Sequence, residues 1–138
     1  MLLNKRSQYS LWLLVYLARR PGQTIAIENI AKAHGLSSTH FVKVSQNLSR
    51  HGYIQGFRGK SGGIALAMDS RDIRLGDVVR DSEYTQGTIS CNRSDCATRF
   101  DCPLKQQIDA AHMAFLAALN QYTLAAIAAQ KENLACAY

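Results

Sequence analysis

IENIAKAHGLSSTHFVKVSQNLSRH, residues 27–51, constrains the fold more than any other stretch of the chain. Its first part, IENIAKAH (27–34), places Ile27, Ile30 and Ala31 on one helical face, and Gly35 then ends the helix. Glycine lacks a Cβ, so it takes the left-handed backbone that closes a helix without steric cost. Ser37 offers a side-chain oxygen to the free N–H groups of a second helix, whose apolar face is Phe41, Val44 and Leu48. Helix, short glycine-containing turn and helix form the helix-turn-helix signature.

The segment GYIQGFRGKSGGIALA (52–67) follows at once. Ile54 and Phe57 flank a glycine-rich, cationic tip, while Ile64 and Leu66 alternate in strand fashion. A hairpin placed there is the wing of a winged helix. Upstream, QYSLWLLVYLARR (8–20) carries Tyr9, Leu13, Tyr16 and Leu17 at helical spacing and stops at Pro21-Gly22. Downstream, IRLGDVVRDSE (73–83) predicts a short helix, and the stretch from Tyr84 to Pro103 has neither helical nor strand period. Residues 104–134 predict one long Ala-rich helix with a seam of Leu104, Ile108, Ala111, Phe115, Leu119, Tyr122 and Ala126. A helix of that length on a small domain often buries its seam against a twin.

With 138 residues, 47% hydrophobic and 19% charged, the chain suits one folded domain with a real core. The expected architecture is mainly α with a small β wing. A winged helix-turn-helix DNA-binding part (1–83) precedes a cysteine-bearing loop (84–103) and a dimerisation helix (104–134). No apolar run approaches the roughly 20 residues that cross a bilayer. MLLNKRSQYS lacks the continuous apolar stretch of a secretory signal, so the expected compartment is the cytoplasm and no membrane partner is expected.

A formal charge of +6 and a pI near 9.4 favour a polyanionic partner. The second helix of the pair supplies a matching surface. Ser38, Thr39, His40, Lys43 and Gln46 lie near its start or on its outer face, where a recognition helix meets base edges and phosphates. Polar helix faces are often merely solvated. Here the wing tip FRGKSGG adds Arg58 and Lys60 beside three glycines, which allow close approach to a phosphate. Double-stranded DNA is the expected partner. No Ser/His/Asp order, paired carboxylates, P-loop or GxGxxG is present, so no enzymatic activity is expected.

CNRSDCATRFDC (91–102) sets three cysteines at spacing C-x4-C-x5-C in polar chain. Reduced, clustered thiols in a cytoplasmic protein point to a metal rather than to disulfides. Structural zinc favours four ligands and closer C-x2-4-C pairs, and no His lies between these cysteines or just after them. His112, ten residues on, reads as a helix-surface histidine. Iron–sulfur clusters also take thiolates, at looser loop spacings. The residues leave both metals open: a cluster-bearing regulator, a structural-zinc DNA-binding protein and a small redox carrier. Cys136, in the tail ACAY, reads as a small buried hydrophobe.

Taken together, YIQGFRGKSGGIALA, DIRLGDVVRDSE and C-x4-C-x5-C ahead of a long helix resemble the winged-helix iron–sulfur transcriptional repressors that include NsrR and IscR. The resemblance spans nearly the whole chain. The context CPLKQQ of the third cysteine is closer to the nitric-oxide-sensing NsrR branch, since the IscR pattern has a His where Lys105 stands. The resemblance implies a homodimer whose long helices cross. Each subunit would hold a 4Fe–4S or 2Fe–2S cluster through Cys91, Cys96 and Cys102. It further implies that nitric oxide attacks the cluster and releases the repressor from its DNA operator. Relatives of that branch can supply a carboxylate near the chain start of the partner subunit as fourth ligand. The matching position here is Gln8, a neutral amide. Three thiolates and an iron without one suit a sensor, because a structural site wants closed coordination.

Overall fold

The structure, a computed structural model, describes residues 3–83 and 102–130. Cys91, Cys96, Cys136 and the end of the expected C-terminal helix lie outside the described residues. Six helices and a hairpin follow in the order α1 (Lys5–Ala18), α2 (Ile27–Ala33), α3 (Ser38–Arg50), β1 (Ile54–Phe57), β2 (Gly63–Leu66), α4 (Leu75–Ser82), α5 (Pro103–Leu119) and α6 (Leu124–Ala128). This is the winged helix-turn-helix the sequence predicts.

α1 begins three residues before the expected start because Asn4 caps it, its side-chain oxygen accepting the Ser7 N–H at 2.8 Å. α2 closes through His34 and Gly35, whose φ of 64° is the left-handed conformation expected there. Ser37 caps α3 by accepting the Thr39 N–H at 3.4 Å. Strands β1 and β2 pair antiparallel with Ile54 opposite Leu66 and Phe57 opposite Gly63. Ile25 extends this hairpin by exchanging two backbone bonds with Ile64, each 2.9 Å.

The core forms where α1 crosses the helix pair and the hairpin. Leu13, Leu14 and Leu17 of α1 meet Ile30, Phe41, Val44 and Leu48, with Ile54 and Ile64 closing one side and Ile73, Val78 and Leu124 the other. Burying each such side chain contributes about 1.5–3 kcal/mol, which is why α1 belongs to the reading head and is not an appendage.

One expectation changes. The helix predicted over 104–134 stops at Leu119, and a separate short α6 follows. Tertiary pairing breaks it. The Asn120 side chain accepts the Asp77 N–H at 2.9 Å, and the backbone of Tyr122 and Leu124 bonds Leu75 and Ile73 at 3.2 and 2.8 Å. Thr123 then caps α6, accepting the Ala126 N–H at 3.1 Å. The turn drives Leu124 into the core, so Tyr122 and Ala126 do not continue the seam of α5.

Candidate nucleic-acid interface and cysteine segment

α3 buries Phe41, Val44, Ser45 and Leu48 and turns the opposite face outward. Thr39, His40, Lys43 and Gln46 are exposed there and Ser38 is half-buried, so the structure brings the residues singled out in the sequence onto one accessible surface. His40 is held from behind by Tyr9 of α1, ring centroids 5.9 Å apart. Arg50 also stands exposed on this surface. It escaped the sequence reading because it lies a full turn beyond Gln46, near the end of the helix. Its position at i+4 from Gln46 is the signal that places it on the same face.

The wing stands beside this helix. Ser45, Gln46, Ser49 and Arg50 face Ile54, Gly56 and Ile64 across a cleft of about 500 Å³. Arg58 and Lys60 are exposed at the hairpin tip, as expected. Gly63 is required at the base, because a Cβ there would overlap the Ile25 carbonyl and break the contact that anchors the wing. Cations on both the helix and the tip can neutralise phosphates, while the outer face of α3 is free to meet base edges.

α4 braces α3 from behind. Tyr53 donates to Asp81 at 2.7 Å, Asn47 donates to the Asp81 carbonyl at 3.1 Å, and Arg80 pairs with the Asp81 carboxylate at 3.0 Å. Burial first, and then the bond to Asp81, push the Tyr53 hydroxyl well above its ordinary pKa, so it stays a donor.

A second cluster joins α1 to the turn of the helix pair. His34 stacks on Trp12 (5.6 Å, 12°) and on Phe41 (5.9 Å, 25°) and meets Tyr16 edge-on at 6.0 Å. Its Nε2 is buried without a hydrogen-bond partner, and burial lowers its pKa below 6.5. No local pattern marks this cage, since its walls come from separate helices.

In the chain, Glu83 precedes the cysteine-bearing segment and Cys102 is its last cysteine. Glu83 fastens the start of α1, accepting from the Asn4 N–H (3.3 Å), the Asn4 amide nitrogen (2.5 Å) and the Ser7 hydroxyl (2.6 Å). One turn on, the buried Ser82 and Ser10 hydroxyls bond at 3.0 Å. Gln8 is half-buried on the same helix, its Nε2 donating to the Leu3 carbonyl at 2.8 Å. Cys102 is a free, half-buried thiol at the N-cap of α5, followed by Pro103. His112 is half-buried against Phe115 at 6.3 Å. Among the described residues no cluster of three or more His, Cys, Asp or Glu could hold a metal, and no helix is long and apolar enough to cross a membrane.

Comparison with known proteins agrees with this geometry. Residues 3–130 match the Rrf2 family, described as iron-dependent transcriptional regulators. The chain is 38% identical over 138 residues to the HTH-type transcriptional regulator NsrR of Bacillus subtilis (strain 168), covering 97% of this chain and 94% of that protein. Among solved structures, the oxidized form of Staphylococcus aureus CymR superposes with a TM-score of 0.74 at 25% identity, covering 96% of this chain and all of that one (100%). IscR of T. potens shares the fold with a TM-score of 0.75 at 24% identity, covering 100% of this chain and 94% of that one. The chain therefore belongs to the Rrf2 family, as a winged-helix, DNA-binding transcriptional regulator and not an enzyme.

Proposed function

We propose that this regulator is a cytoplasmic, homodimeric repressor whose hold on its operator depends on an iron–sulfur cluster and is released by nitric oxide. Cys91, Cys96 and Cys102 are the proposed thiolate ligands. When bound, such a cluster supplies iron that a small diatomic molecule can attack. Gln8 is proposed to be no strong ligand, since a neutral amide offers only a weak carbonyl oxygen.

The observation that carries this reading is the attachment of the cysteine segment. Glu83, from which the segment departs, is bonded to Asn4 and Ser7 at the start of α1. On the same helix Tyr9 packs on His40 at 5.9 Å and on Phe41 at 5.6 Å. A change in the segment can therefore act on α3 through one rigid helix. α5 supports the dimer. Leu104 is 63% exposed and Ile108 37%, and with Ala111 and Phe115 they form an apolar face on the helix that follows Cys102. Against a twin, that face would join two reading heads and fix their separation.

The ligand assignment is tested by purifying the protein without oxygen and measuring iron, sulfide and visible absorbance. Cys91→Ala, Cys96→Ala and Cys102→Ala are each expected to lose the absorbance, and Cys136→Ala to keep it. A colourless, zinc-loaded wild type would overturn the reading, as would a full cluster in any of the three loop variants.

A further inference from the structure

Val42 is 39% exposed on α3, the one large apolar side chain of that helix left outside the core. Phe41, Val44 and Leu48 account for the packing face, and Val42 adds nothing to it. Valine also favours a helix less than alanine or lysine, because its branched Cβ crowds the preceding turn. A valine at this position is thus disfavoured by local propensity and lies outside the core cluster. Its position on the recognition helix gives it a contact to make.

Its surroundings identify the contact. Helical spacing puts Val42 one turn after Ser38 and Thr39 and one turn before Ser45 and Gln46. Gln46 lines the cleft between α3 and the wing. Val42 therefore stands on the reading surface, toward its wing side. The Ser45 hydroxyl is turned back to donate to the Val42 carbonyl at 2.8 Å and is buried, so it offers no donor here. What this turn presents outward is a pair of methyl groups. In the major groove of B-DNA the complementary feature is the thymine 5-methyl, the one apolar group on the base edges.

We infer that Val42 is a specificity-determining residue that reads the 5-methyl group of one thymine in each operator half-site. The inference rests on α3 being the recognition helix, and the test separates the two. Duplexes are first enriched from a randomised pool with protein purified anaerobically. Each thymine of the enriched site is then replaced by uracil, which deletes only the methyl.

Wild type is expected to lose about fourfold in affinity at one position per half-site, the equivalent of unburying one methyl, and about sixteenfold when both half-sites carry uracil. Val42→Ala should bind the thymine and uracil forms alike. Because Val42 lies outside the core and alanine favours a helix more than valine does, this variant should unfold no lower than the wild-type temperature, which can be checked directly. An enriched site without thymine, no sensitivity to any single uracil, or an undiminished uracil penalty in Val42→Ala each overturns the inference and leaves α3 as a reader by other side chains. Failure to enrich any sequence overturns both.

Discussion

Gly76 sits in α4 where the end of α5 crosses it, and replacing it by alanine sets two effects of opposite sign against each other. By helix propensity alone, Gly76→Ala should stabilise the protein by about 1 kcal/mol. Sterically it cannot be accommodated as the chain stands. A Cβ would lie 2.5 Å from Asn120 Oδ1 and 2.8 Å from Asn120 Cγ, and it would overlap the Leu116 carbonyl oxygen as well. Ordinary contact begins near about 3.5 Å, so the helices must part by roughly an ångström or Asn120 must leave. Backbone at Leu116 cannot swing aside. If Asn120 leaves, its bonds to the Asp77 N–H (2.9 Å) and Asp77 carboxylate (3.2 Å) are lost, about 1 kcal/mol each. Overpacking adds about 1–3 kcal/mol. The net expectation is a loss of about 2–4 kcal/mol, read from urea unfolding followed by circular dichroism at fixed protein concentration. Asn120→Ala, which removes the bonds without a clash, should cost less. A Gly76→Ala protein more stable than wild type would refute the close approach of α4 and α5.

Two further outcomes are expected. Arg58→Ala should weaken binding to all duplexes alike and lower the slope of affinity against salt by about one, if the exposed wing tip contacts a phosphate; an unchanged slope in filter binding would remove the wing from the interface. His34 should make stability depend on pH. Its folded pKa is depressed below 6.5 by burial, so the unfolded chain takes up the proton more readily. Stability from His34 is thus full above that value and falls as pH drops toward the folded pKa. Between about pH 7 and pH 5 the urea midpoint of wild type should fall further than that of His34→Phe, which fills the Trp12, Tyr16 and Phe41 cage without titrating; equal slopes would contradict this.

What the sequence made legible was local. Gly35, Ser37 and the glycines of FRGKSGG act within a few residues of themselves, so the helix pair, its turn and the wing could be placed before any coordinates. Where partners are distant, the sequence reading went astray. α5 was expected to run on through Asn120 because alanine-rich periodicity continues past it, yet the break is made by pairing with residues 73–77. The earlier start of α1 depends on Asn4, a polar residue ahead of the apolar period, which Glu83 also holds. At the candidate interface polarity and charge mark Thr39, His40, Lys43, Arg58 and Lys60. They do not mark Val42, whose meaning depends on exposure, and Arg50 is marked only by its i+4 spacing from Gln46. His34 looked like an ordinary turn residue until three aromatic rings from two helices closed around it.

One titration follows the cysteine segment and the reading head together. Protein purified without oxygen is bound to an enriched duplex, and visible absorbance and DNA affinity are followed together as nitric oxide is added. The expected result is an absorbance that bleaches or shifts in step with loss of affinity, with Cys96→Ala showing neither response. Affinity that stays constant while the absorbance changes, or a colourless protein that binds DNA whether or not nitric oxide is present, would contradict it.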